Sequence, residues 1–290
     1  MTRMSAVGSR LVVVLLAVSA AVGQGNVSLG DNAALRYWAA FSQLQDAAIT
    51  NQEAKELDSV LNNMAPFDDS KYKDLIQKNT LALQVMARGT TLPHCDWGLD
   101  YGLGDNTPVD YARQALVLGR LNVLYAMHLF HSGDKDGAIR TLAAGLRFSH
   151  DVANGGSLFP TLVAKALLMT HLTAADDAVR IGQLSPAQRA QLQNAVAALG
   201  DGLDWPSAAR RDLEALGTNY PAGSRLSAAL SRIASSYSAF LQDDSNLPSL
   251  MNAIHQAPPD LARLIPDPKR AAEQKQELTD KIQQTRRLLQ

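Results

Sequence analysis

Apolar side chains recur along this chain at three- and four-residue spacing, and period-two alternation is nearly absent, so the pattern predicts an all-α protein built of successive helices. A first helix is expected over about Asn32 to Ala48, presenting Leu35, Trp38, Ala39, Phe41 and Leu44. Thr50 with Glu53 then reads as a capping box opening a helix through Leu57, Val60 and Leu61. Asp69 or Ser70 is placed to cap a third helix through Tyr72, Leu75, Ile76, Leu83 and Met86, with Gly89 at its end. The pattern breaks between Thr90 and Thr107. Thr107-Pro108 reads as an N-cap followed by a first-turn proline, starting a long helix to His131. After the His131-Ser132-Gly133-Asp134 turn, Ala138, Ile139, Leu142, Leu146 and Phe148 mark a second helix, closed by Asn154-Gly155-Gly156. The next segment, capped by Ser157, has a broad apolar face, which predicts a central place in the core. Ser185-Pro186-Ala187-Gln188 combines a cap, a first-turn proline and a capping-box glutamine. Further helices are expected from Asp204-Trp205-Pro206 and over Ser224 to Leu241.

The hairpin from Leu118 to Ala153 carries a second signal. Ala126, Gly133 and Ala138 fall where a tetratricopeptide-type hairpin keeps small residues for close helix contact and a tight turn. That pattern's tryptophan, later tyrosine and closing proline fall instead on Asn122, Leu129 and His150. A shift by one repeat, about 34 residues, finds no clear neighbouring copy. Stacked antiparallel hairpins therefore remain open as either a tetratricopeptide-like right-handed array or an irregular helical bundle.

The two ends differ from this middle. Arg3 and Arg10 precede the apolar run Leu11 to Val18, and small residues follow through Gly23, the pattern of a secretory signal over residues 1–23. Cleavage after Ala21 or after Gly23 fits equally, and an uncleaved anchor is the alternative. No later stretch reads as long and charge-free enough to cross a bilayer. The helical domain is expected over residues 24–200, with further helices packed on it over 201–242. Pro248, Pro258, Pro259, Pro266 and Pro268 permit only short helices, so residues 243–269 read as a linker or loose arm. Residues 270–290 form a charged helix with Leu278, Ile282 and Leu289 on one stripe, either a solvated tail or a short coiled coil.

Removing Arg3 and Arg10 from 27 basic residues leaves 25 against 28 acidic, which gives no electrostatic case for nucleic acid or anionic lipid. The single cysteine, Cys95, rules out an internal disulfide, so stability rests on packing.

The segment His94-Cys95-Asp96-Trp97-Gly98-Leu99-Asp100-Tyr101, followed by a long helix and the Gly133 hairpin, resembles a group of uncharacterised secreted bacterial proteins built of consecutive helices. The likeness covers Asn32 to Leu199. It implies a helical fold and an exported protein, and carries no activity.

The same segment is the first place to look for a site, because it is a non-helical break holding His94, Cys95, Asp96, Trp97, Asp100 and Tyr101 between helices. A nucleophilic thiol needs a base that lowers its pKa, and an adjacent histidine rarely points at the sulfur. The alternative is a buried thiol with Trp97 and Tyr101 plugging the end of the helix stack. His128 and His131, with Asp134 and Asp136 after them, are the best metal ligands by spacing, but they lack a further convergent set. Asp96 with Asp100, or Asp176 with Asp177, offers a carboxylate pair of the kind glycoside hydrolysis uses. Neither a phosphate-binding glycine loop nor a Gly-x-Ser-x-Gly elbow is present. No catalytic, metal or cofactor residue is assigned, and no cofactor is implied. The expectation is a non-enzymatic scaffold binding an unidentified protein or peptide in the cell envelope or outside the cell. An envelope hydrolase centred on Cys95-Asp96-Trp97 is the alternative.

Overall fold

The computed structural model describes residues 29–45, 51–62 and 64–290, and among them the fold is all-α. The expected signal segment and Thr50 lie outside the described residues. The α-helices in chain order are α1 (Ala33–Phe41), α2 (Asn51–Leu61), α3 (Asp69–Lys78), α4 (Thr80–Gly89), α5 (Tyr111–His131), α6 (Lys135–Val152), α7 (Leu158–Ile181), α8 (Pro186–Ala197), α9 (Trp205–Gly217), α10 (Arg225–Gln242), α11 (Leu247–His255), α12 (Pro259–Ala262) and α13 (Pro268–Leu289). The sole extended pairing among the described residues is one parallel bridge between Asn32 and His94.

The centre is the antiparallel pair α5 and α6 with α7 laid across both. Gly133 turns the chain between α5 and α6 with φ of 89°, a conformation that glycine enters without the steric cost of a Cβ. Ala126 and Ala138 are buried in this hairpin as their small size requires. Closer still is the approach at Gly145, where an added Cβ would lie 2.1 Å from the His171 ring and 2.2 Å from the Asn122 amide. There α5, α6 and α7 meet around a buried polar cluster. His171 Nδ1 lies 2.8 Å from the Leu167 carbonyl and 3.1 Å from Ser149 Oγ, while Nε2 lies 3.0 Å from the Asn122 amide. Full burial pulls the imidazole pKa down to about 4.

Several boundaries follow their local chemistry. Ser185 and Gln188 complete the expected capping box of α8. Asp204 caps α9 and Ser224 caps α10. Other expectations are corrected. Asp68, and not Asp69 or Ser70, caps α3. The long third helix is broken at Asn79, which is buried and spends its amide on Gln45 N, Gln45 O and Leu75 O. Helix α5 starts at Tyr111 because the Thr107 hydroxyl turns back to the carbonyls of Asp100 and Gly104. In α1 the buried face is Ala33, Ala34, Tyr37, Ala40 and Phe41, leaving Leu35 45% and Trp38 40% exposed.

By length and composition α7 does pass for a membrane span, with mean hydropathy 1.4, but 67% of that stretch is buried inside the fold. Its apolarity is that of a central core helix, as its broad apolar face predicts. The proline-rich segment folds into α11 and α12, which bury Leu250 and Leu261 in the common core instead of forming a loose arm. Likewise α13 is no free tail: it packs on α7 and α8 through Leu278, Ile282 and Leu289, the stripe read from the sequence.

Candidate functional site

A helix ends with carbonyls that lack in-helix donors, and they need partners when buried. At the end of α6 that work falls to the segment containing Cys95. The Asp151 carbonyl accepts from the Trp97 indole Nε1 at 2.8 Å, from the Cys95 thiol at 3.7 Å and from the Asn154 backbone at 3.1 Å. Tyr111 donates its hydroxyl to the Val152 carbonyl at 2.9 Å, and Tyr101 donates to Gly155 at 3.0 Å. Asn154 closes the loop by donating to the Cys95 carbonyl. On the other side, Asn32 caps α1 through the Ala34 amide, while its side chain also pairs with both backbone groups of Asp96 at 2.8 and 2.9 Å. One loop therefore joins the start of α1 to the end of α6.

The aromatic rings make the joint dense. Trp97 stacks on Tyr111 with centroids 4.1 Å apart, and Tyr37 meets Phe148 edge-on at 4.9 Å. Asp151 is the one charge inside this region, placed in the last turn of α6, where the helix dipole disfavours an anion. Two groups hold it: the Tyr37 hydroxyl donates at 2.7 Å and Arg147, one turn back, sits 3.0 Å away. Burial pushes the Asp151 carboxyl pKa upward, while the bonds from Tyr37 and Arg147 oppose that shift. Burial also drives the Cys95 thiol well above its ordinary range, and the Asp151 charge adds to it. A thiol so placed is a protonated donor to a backbone carbonyl, the reverse of what a nucleophile needs.

The remaining residues of the segment do not converge. His94 is exposed, and its carbonyl receives the Ala33 amide. Asp96 and Asp100 each turn a carboxylate onto a nearby backbone amide, of Gly98 and Gly102. The structure thus brings Cys95, Trp97 and Tyr101 together as a helix plug, with His94, Asp96 and Asp100 outside it. Sequence reading missed the plug's other half, Tyr37, Tyr111, Arg147, Asp151 and Asn154; the signal available was an aspartate among the apolar positions ending α6.

The other carboxylate and histidine pairs also separate. His128 binds Asp69 of α3 at 2.5 Å, whereas His131 faces the Phe67 ring at 6.5 Å. Among the described residues, no group of three His, Cys, Asp or Glu side chains is arranged to hold a metal ion. Asp176 pairs with Lys281 on α13, while Asp177 lines a groove. Consecutive helical residues point about 100° apart, so these two carboxylates serve different surfaces.

That groove is a broad recess among the described residues. It has a volume of about 770 Å³ and lies where the ends of α2, α5 and α7 meet the start of α6. Its walls are apolar, with Val60, Phe67, Met127, Phe130 and Leu142 inside and Met64 and Ile181 at the mouth, 73% and 81% exposed. His131, Lys135 and Asp177 supply its polar edge. No family model, curated protein or solved structure matches the chain.

Proposed function

We propose that the protein is a non-enzymatic helical scaffold that binds a peptide or protein segment in the groove between α2, α5, α6 and α7. The observation that carries this reading is the groove's lining. Its volume of about 770 Å³ falls within the range of ligand sites, and its surface is mostly methionine, phenylalanine and aliphatic side chains. Met64 and Ile181, exposed at its mouth, extend this apolar lining to the surface, where a partner could meet it. Methionines suit such a role because their flexible thioethers adapt to varied apolar shapes. His131, Lys135 and Asp177 offer polar contacts that would orient a bound segment without forming a catalytic constellation. The apolar run behind Arg3 and Arg10 supports export, with the partner in the cell envelope or outside the cell.

The test is affinity capture from envelope extract with the full chain as bait, beside a variant carrying Met64→Asp and Ile181→Asp. A specific partner held by the native chain and lost by the variant is the expected result. A partner held equally by both overturns the groove as the binding surface. Turnover in a hydrolase screen, abolished by Asp96→Asn, would instead make the Cys95 segment the working site.

A further inference from the structure

The C-terminal helix is fixed to the body by a buried ion pair. Lys281 of α13 reaches Asp176 of α7 at 2.7 Å, and the two side chains are only 15% and 3% exposed. Asp176 Oδ1 has no hydrogen-bond partner, and neither does the fully buried Thr285 Oγ1 one turn further along α13. A buried ion pair recovers its desolvation cost only when the remaining polar atoms are satisfied as well, and here two are not. The apolar grip is also thin. Helix α13 buries five residues, Ala271, Leu278, Ile282, Thr285 and Leu289, along 22, whereas α7 beneath it buries thirteen of 24.

The other polar anchors of α13 are half-buried or exposed: Lys165 to Gln274, Arg189 to the Leu288 carbonyl and Lys275 to the Leu241 carbonyl are half-buried. Lys165 binds Glu277, which is 51% exposed, and Arg286 donates to the Gly200 carbonyl from an exposed position. Exposed pairs contribute little to holding a helix down. Most of its Lys, Arg, Glu and Gln side chains already face water, so release costs α13 chiefly its short apolar stripe, the latch pair and these half-buried bonds.

We propose that α13 is a releasable strap, a cooperative unit that undocks from α7 and α8 while α5, α6 and α7 stay folded, with the incompletely satisfied Asp176–Lys281 pair as its latch. Release bares the Asp176 carboxylate, one residue from Asp177 in the groove wall. Strap and groove therefore act on the same turns of α7, from faces about 100° apart. This inference stands apart from the reading of the groove as a binding surface, since it is read from the free protein without any partner.

Native-state hydrogen exchange on the full chain, resolved by peptide, tests it. The amides of α13 are expected to exchange at least about tenfold faster than those of α5 and α6, because local opening precedes global unfolding. Lys281→Met strands the buried carboxylate and should speed α13 exchange by a further factor of about ten or more. Joining it to Asp176→Leu removes both charges and should return α13 to native protection or beyond. The proposal is overturned if α13 in the native chain exchanges in step with α5 and α6, or if the double variant opens as readily as Lys281→Met alone.

Discussion

At the scale of single residues, His171 makes the sharpest statement about pH. Its Nδ1 faces the Leu167 carbonyl, which only accepts, so that nitrogen carries the proton in the neutral ring and Nε2 is the acceptor. The Asn122 amide must then turn its NH2 toward Nε2, the two ends of an amide being interchangeable in outline. Burial lowers the pKa from 6.5 to about 4, so the unfolded chain binds the extra proton first as pH falls. His171 therefore contributes its full stability above about pH 6.5 and loses it as pH falls toward 4, a change of about 3 kcal/mol. Asp151 acts in the opposite sense: its raised carboxyl pKa lets the folded form take up a proton first, which favours folding as pH drops. Denaturant unfolding at pH 7, 5 and 4 separates the two. Native protein minus His171→Gln should show the 3 kcal/mol fall, and a flat difference would mean the ring is not buried in neutral form. Cys95 gives a second residue-scale result. As a buried, protonated donor it should resist alkylation in the folded chain and react only on unfolding; rapid labelling of native protein would place the thiol at the surface.

At the scale of elements, the segment from His94 to Tyr101 is best understood as the missing last turn of α6. Trp97→Phe keeps most of the ring packing on Tyr111 and removes the donor to the Asp151 carbonyl. The expected cost is about 1–3 kcal/mol, the range for a buried acceptor deprived of one partner, read as a lower thermal midpoint; an unchanged midpoint would show that the Cys95 and Asn154 donors suffice. Helix crossings give a larger response. Ala138 is fully buried at the tight start of α6, so Ala138→Trp should destabilise by about 1–3 kcal/mol through overpacking, and thermal unfolding reads this directly. These elements also mark how far sequence reading reached. Caps written in local chemistry were legible: Ser185 with Gln188 forms the expected box, and Asp204 and Ser224 stand where their helices were expected to begin. Thr107 was not, because its hydroxyl answers carbonyls of the preceding turn in competition with the cap role. The phase of α1 was misjudged for a related reason. Trp38 and Leu35 look like core residues by hydrophobicity, yet small alanines and Tyr37 face inward, where Tyr37 must reach Asp151.

At the scale of the whole molecule, the all-α class followed from periodicity alone, whereas the groove was invisible for a structural reason. Its lining comes from four separated stretches, around Met64, Met127, Lys135 and Ile181; the apolar residues on its helices satisfy the same pattern as core residues, while Met64, Ala65, Pro66 and Phe67 sit in the non-helical stretch between α2 and α3. Periodicity says that a side chain lies on an apolar face; it does not say whether another helix covers that face. The proline-rich segment erred in the other direction. Prolines limited α11 and α12 to short helices, but burial of Leu250 and Leu261 depends on long-range packing that composition does not encode. The distinction between apolar core and apolar surface can be measured. Met64 and Ile181 are 73% and 81% exposed, so converting both to Asp removes few contacts within the chain and should change stability by no more than about 0.5 kcal/mol per site. An anionic apolar dye that fluoresces on meeting exposed hydrophobic surface should bind the native protein at this mouth and bind the double variant at least several-fold more weakly. Equal dye binding with an unchanged thermal midpoint would mean that the accessible apolar surface lies elsewhere. A collapsed midpoint would mean that Met64 and Ile181 hold the ends of α2 and α7 in place, making the groove's mouth part of the fold's own support.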